Sequence, residues 1–188
     1  MKLLDTALPE VKRIQLNLLQ DARGFFVERH HSEKFAALGI PQHFEQLNHS
    51  CSLPGVIRGL HFQHTPMQGK LVGVTRGAVL DVAVDVRPHS AHFGRHVAIE
   101  LSEEKAELLW IPPGFAHGFC VLGNAPADVV YQLTTLYAPA GEQGIRLDDP
   151  DIAIAWPTPL AQAILSARDR TQPSLRELKP QLAEWFRA

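Results

Sequence analysis

The segment "AVLDVAVDV", residues 78–86, decides the fold class. Its side chains alternate: Leu80, Val82, Val84 and Val86 fall on one face, Asp81, Ala83 and Asp85 on the other. A period of two marks a β-strand. Outward from this segment the pattern recurs. "HVAIEL" (96–101) alternates, "FAHGFCVL" (115–122) groups Phe115, His117, Phe119 and Val121, and "VVYQL" (129–133) groups Val129, Tyr131 and Leu133. "FFVERHH" (25–31) can alternate as well. From about residue 56 to 133, strand follows short strand, punctuated by Gly and Pro. That spacing predicts a mainly β protein, a sandwich or jelly-roll barrel.

The ends read differently. "EKFAALG" (33–39) predicts one short helix closed by Gly39. "PLAQAILSARD" (159–169) reads as helical, and "SLRE" (174–177) is a capping box opening a second helical piece, with Pro180 restarting it. Leu175, Leu178, Leu182 and Trp185 form an apolar stripe suited to packing on the barrel. The expected organisation is one domain over 1–188, with a barrel core at about 45–150 and a C-terminal helical segment at about 159–187.

Composition excludes several function classes. The net charge of −2 gives no basic field for nucleic acid. No apolar run approaches the roughly 18 residues of a membrane span. "MKLLDTALPEVKRIQLN" breaks its apolar run at Asp5 and Pro9, unlike a signal peptide, so the expected location is cytoplasmic. The two cysteines, Cys51 and Cys120, are expected to be reduced thiols. Histidine is the unusual entry in the composition, at 10 residues.

Two of those histidines lie in "RGLHFQHTPMQGKLV" (58–72), which raises the question of metal. Barrels of the cupin type commonly bind metal through two motifs. The second is present as "PPGFAH" (112–117). The first should supply His-x-His and then Glu, but here it is His61-x-x-His64 followed by Gln68. Strand alternation places 61 and 64 on opposite faces, where they cannot close on one ion. No metal site is expected.

Seven blocks then carry a specific resemblance: "DARGFFVE" (21–28), "QLNHSCS" (46–52), "GVIRGLHFQ" (55–63), "QGKLVGVTRGAVLDVAVDVR" (68–87), "LLWIPPGFAHGFCVL" (108–122), "VVYQLTTLYAPAGEQGIRLDDP" (129–150) and "ILSARD" (164–169). In this order they resemble the dTDP-4-dehydrorhamnose 3,5-epimerases, over about residues 1–180. The resemblance implies a cupin-like jelly roll without metal or other cofactor, and a homodimer with strands exchanged near the N-terminus. It implies dTDP-4-dehydro-6-deoxy-D-glucose as substrate, epimerised at C3 and C5. Relatives that epimerise only C3 or only C5 share the same proton-moving set, and a metal-dependent cupin enzyme is a further alternative.

The resemblance also assigns residues. His61 matches the base, Asp169 the carboxylate that pairs with it, Tyr131 the acid on the opposite face of the sugar, and Lys70 the cation beside O4. An imidazole exchanges protons near neutrality, and a nearby carboxylate orients it. His117 matches a sugar-pocket position. Arg58 and Arg23 match diphosphate positions, where a guanidinium fork suits phosphate oxygens. Glu28, Gln46, Leu47 and Asn48 match positions that meet the nucleotide, with Arg23 and Glu28 reaching the neighbouring subunit. Phe25 and Tyr137 are candidates to stack on thymine, and Glu142 and Arg168 match further ligand positions. Leu136, Leu147 and Arg168 depart from the family's usual aromatic, Trp and Lys, without removing an acid or base. An ideal strand would place Arg58 and His61 on opposite faces; Gly59 between them would permit a bulge that turns both inward, and with a regular strand Arg58 would have to reach the site around an edge.

Overall fold

The computed structural model describes residues 1–41 and 43–187. Thirteen strands run through it: β1 Lys2–Leu4, β2 Lys12–Gln15, β3 Leu18–Asp21, β4 Gly24–Val27, β5 Gln46–Ser52, β6 Ile57–Gln63, β7 Lys70–Arg76, β8 Ala78–Asp85, β9 His96–Ser102, β10 Glu107–Ile111, β11 Phe115–Leu122, β12 Ala127–Leu133 and β13 Glu142–Gly144. Two helices, α1 Ser32–Ala37 and α2 Leu175–Trp185, flank the core. The larger sheet has the order β1-β2-β10-β7-β12-β5 and the smaller β13-β6-β11-β8-β9. The hairpin β3–β4 stands apart as its own two-stranded sheet. This is the jelly-roll sandwich that the alternation predicts.

Three apolar layers hold it together. Between the sheets, Val72, Val74 and Val129 meet Val79, Ala83, Phe115, Phe119 and Val121. Outside the larger sheet, Ile14, Leu71, Leu108 and Trp110 are covered by Phe35 of α1 and Ile40. Outside the smaller sheet, Ile57, Leu60, Phe62, Val82 and Val84 are covered by Leu175, Leu178 and Leu182 of α2. Each of those leucines is worth roughly 1.5–3 kcal/mol when fully buried. The C-terminal segment is therefore part of the core.

The most apolar face of β8 thus points away from the sandwich interior. Val82 and Val84 pack under the C-terminal layer, while Ala83 lies in the interior layer. A strand buried on both faces can carry its acidic residues inward, and both Asp81 and Asp85 are fully buried.

Local expectations met mixed outcomes. Residues 115–122 form a strand with the expected bounds. The strand expected over 25–31 ends at Val27. Gly39, just beyond α1, takes φ +65°, as a helix-terminating glycine does. Ser174 and Glu177 make the capping box in full, but Pro180 lies inside a continuous α2 instead of restarting it. Residues 159–169 are not helical. Ile164 there bridges Val56 in parallel, and its N–H donates to the Gly55 carbonyl. A backbone already paired to a strand cannot also close helical turns. Cys51 and Cys120 are free thiols, exposed and buried respectively. Among the described residues no helix is long and apolar enough to cross a membrane.

Candidate active site

A cavity of about 410 Å³ opens between the two sheets, within the range that holds a small ligand. The smaller sheet contributes Arg58 and His61 from β6 and His117 from β11. The larger sheet contributes Gln46 and Asn48 from β5, Lys70 from β7 and Tyr131 from β12. Tyr137, Glu142, Arg168 and Asp169 line the same space from loops and β13.

The geometric difficulty at Arg58 and His61 is resolved by a bulge. His61 pairs with His117 and Arg58 with Phe119, so three steps on β6 match two on β11. The extra residue restores both side chains to the cavity. Gly59 has φ +126°, and a Cβ there would sit 2.5 Å from the Gly118 Cα and 2.9 Å from the His117 carbonyl oxygen. Only glycine fits.

His61 Nε2 lies 2.7 Å from Asp169 Oδ1. Asp169 is almost fully buried, and its N–H donates to Ser166 Oγ. Burial pushes the Asp169 carboxyl up, but its contacts with His61 and Ser166 outweigh this and hold it below the usual carboxylate range. A second pair lies deeper, where His117 Nε2 sits 2.9 and 3.0 Å from the two oxygens of Asp81. Lys70 Nζ donates to the His61 carbonyl at 3.2 Å. Burial of its ammonium lowers the Lys70 pKa to about 8, against the opposing pull of Glu142 and Asp81.

At the mouth, the Tyr137 hydroxyl donates to Glu142 Oε2 at 2.8 Å, and Arg168 Nη1 donates to the same oxygen. Gln46 Oε1 accepts from the Tyr137 N–H, and its amide donates to Asn48. Arg58 Nε donates to Ser52 Oγ.

Four expected residues lie elsewhere. β5 alternates, so Gln46 and Asn48 face the cavity while Leu47 points out, 65% exposed. Arg23, Phe25 and Glu28 belong to β3–β4 and the residues after it, away from this chain's own cavity. Arg23 pairs with Asp21 and Glu28 with Lys34. Sequence reasoning missed Asp81, Ser50 and Ser166 and weighed Gln68 only as a metal ligand.

The side chains do not suit a metal at the cupin position. The His64 ring stacks on Trp185 at 3.9 Å and 2° between planes, and its Nδ1 is 2.9 Å from the Thr65 hydroxyl. It is committed to the C-terminal layer, away from His61. In a separate cluster of Glu10, Asp85 and His92, the Arg87 guanidinium bridges Asp85 and Glu10 and offsets one of the two carboxylate charges.

Fold and site together define a class: a cupin-like β-sandwich enzyme with an imidazole–carboxylate pair facing a phenol across its cavity, the equipment of a carbohydrate epimerase. The chain belongs to the dTDP-4-dehydrorhamnose 3,5-epimerase family, whose model matches residues 5–177. It is 44% identical to the Escherichia coli K12 dTDP-4-dehydrorhamnose 3,5-epimerase, across 95% of this chain and 96% of that one. It is 48% identical to the Neisseria gonorrhoeae enzyme of that name over 90% of this chain, but spans only 51% of that protein's length. A solved structure from Legionella pneumophila, a dTDP-6-deoxy-D-glucose-3,5-epimerase in complex with dTDP-4-keto-L-rhamnose, superposes with a TM-score of 0.92 at 43% identity, covering 96% of both chains.

Proposed function

We propose that this chain converts dTDP-4-dehydro-6-deoxy-D-glucose to dTDP-4-dehydro-L-rhamnose by moving protons at C3 and C5. The observation that carries the reading is the placement of His61 and Tyr131 on opposing sheets of one cavity. Epimerisation needs a base on one face of the sugar and an acid on the other.

The C4 ketone acidifies the hydrogens on both neighbouring carbons. His61, oriented by Asp169, removes one as a proton. The electron pair moves onto O4, where the Lys70 ammonium stabilises the enolate. Tyr131 returns a proton to the opposite face of the same carbon. His61 then gives its proton to solvent and Tyr131 takes one up, and with both reset the cycle repeats at the second carbon. No redox step is involved, and no cofactor is called for. Arg58 and Arg168 suit the diphosphate, while Gln46, Asn48 and Tyr137 suit the thymidine.

The site is completed by a partner in this reading. β3–β4 exposes Leu19, Phe25 and Phe26, each more than 60% accessible. In a homodimer this hairpin would cover apolar surface and bring Arg23, Phe25 and Glu28 to the partner's cavity. The deciding experiment is incubation with the 4-ketosugar nucleotide in D₂O. Deuterium at C3 and C5 supports the double epimerase, deuterium at one carbon a single epimerase, and none at either refutes the assignment.

A further inference from the structure

Tyr137 sits in a stretch of chain with no ladder of its own. Residues 134–138, between β12 and the 3-10 turn Pro139–Gly141, belong to neither strand nor helix. A backbone without a ladder must find its hydrogen bonds elsewhere. Here side chains supply them. Gln63 Nε2 donates to the Leu136 carbonyl at 3.2 Å and to the Pro66 carbonyl at 2.9 Å. Gln63 Oε1 accepts from the Ala138 N–H at 2.8 Å. One amide therefore holds the backbone on both sides of Tyr137. Gln68 Nε2 donates to the Thr135 carbonyl at 2.9 Å, further back along the same stretch. Both glutamines are almost fully buried, while Leu136 and Tyr137 are exposed.

We propose that Gln63 is the positioning residue for Tyr137, presetting the tyrosine ring for the thymine and so setting affinity for the thymidine end of the substrate. This rests on the functional reading above, in which Tyr137 meets the thymidine. Gln63 lies outside the cavity lining and acts from behind the loop. Period two puts it on the face of β6 that carries His61. The strand that bears the proton carrier thus also fixes the ring at the mouth.

The residue type fits the task. A primary amide presents donors and an acceptor at one end. The loop offers carbonyls for the donors and an N–H for the acceptor. A carboxylate would have no donor, and an aliphatic chain would leave all three backbone groups without their partner. A loop held in this way has less freedom to lose when a ligand arrives, which favours binding.

The test is calorimetric titration of dTDP and of inorganic pyrophosphate into wild type, Q63M, Q63N, Y137A and Q63M/Y137A, with steady-state kinetics on the 4-ketosugar nucleotide. Q63M keeps the length of the side chain and removes the amide. It is expected to bind dTDP about tenfold more weakly, the scale of ordering one or two side chains on binding. Its affinity for pyrophosphate should be unchanged, because that ligand has no thymine to meet Tyr137. KM should rise by a similar factor with kcat nearly kept, since the diphosphate separates the thymine from C3 and C5. In the Y137A background, Q63M should weaken dTDP binding little further. Q63N retains the amide but is one methylene short of spanning Leu136 and Ala138 together, so its loss should be intermediate. It carries the test if thermal unfolding shows that Q63M does not fold. Equal weakening toward pyrophosphate overturns the proposal, because it marks a distorted cavity. Wild-type dTDP affinity in the Gln63 variants overturns it as well, as does a full loss when Tyr137 is already absent. Failure of wild type to bind dTDP would instead refute the nucleotide reading, and the proposal with it.

Discussion

His61 and Asp169 stand 108 positions apart in the chain, yet their side chains meet at 2.7 Å. The carboxylate is buried and the imidazole partly exposed to the cavity. This is the polarity a base needs: the ring's outer edge free for substrate, its inner edge held by an anion. Asp169→Asn keeps the shape and removes the charge. We expect the rate of deuterium exchange into the ketosugar to fall by about 10²–10⁴-fold with KM changed far less. Exchange at the wild-type rate would show that the carboxylate does not serve His61.

Tyr131 faces the cavity from the other sheet, so its loss should separate two steps that His61 variants abolish together. In Tyr131→Phe the base can still remove a proton and return a solvent-derived one to the same face. Deuterium would enter the substrate while inversion slows by roughly 10²–10³-fold. Comparing deuterium incorporation with product formation by NMR checks this. Equal losses of both would mean that Tyr131 acts before the enolate forms.

In the proposed mechanism Lys70 sets the alkaline limit. Its pKa is lowered to about 8, chiefly by burial. The ammonium is present below that value and lost as pH rises through it. Enolate stabilisation should be lost in the same window, giving a kcat/KM that declines above about pH 8. The same lowering means that burying the charge costs folding free energy at neutral pH, so Lys70→Met should raise Tm while abolishing exchange. A profile flat through pH 9 would contradict the role given to Lys70.

Much of this was legible in the sequence, for reasons that differ by residue. Period-two alternation named the strands and placed Phe115, His117 and Phe119 on one interior face, because strand geometry leaves no other choice. It could not say which face of 78–86 was interior, because the C-terminal layer buries the outer face equally well. That is why Asp81 was passed over although it holds His117. The helix expected at 159–169 failed because a non-local bridge from Ile164 to Val56 outcompeted local propensity. Spacing alone could not pair His61 with Asp169, and only the resemblance did. Gly59 marked where a bulge could turn Arg58 and His61 to one side, and the backbone has it there.

That bulge makes its own prediction. A methyl group at residue 59 would meet the Gly118 backbone at 2.5 Å, and the positive φ disfavours any side chain. Gly59→Ala is expected to destabilise by about 2–4 kcal/mol and to cost activity beyond the loss of folded protein, since β6 carries both Arg58 and His61. Denaturant unfolding and activity per folded molecule separate the two effects. A variant with full stability would show that β11 can yield at Gly118.

The hairpin β3–β4 tests the assembly. Leu19 pairs across the hairpin with Phe26, so these two share one face, and both are more than 60% exposed. Phe25 pairs with Gln20 on the other face, and Arg23 lies in the turn before β4. One face is therefore suited to covering a partner's surface and the other to entering its cavity. A two-fold interface uses each contact twice, and a buried Phe or Leu is worth roughly 1.5–3 kcal/mol. Phe26→Ser should raise the dimer dissociation constant by more than a hundredfold, visible by light scattering across a dilution series. Activity should fall with the dimer population if, as proposed, Arg23 and Phe25 of the hairpin complete the neighbouring cavity. Phe25→Ser should instead leave the dimer intact and raise KM. A wild-type chain that is monomeric and fully active would refute the shared site.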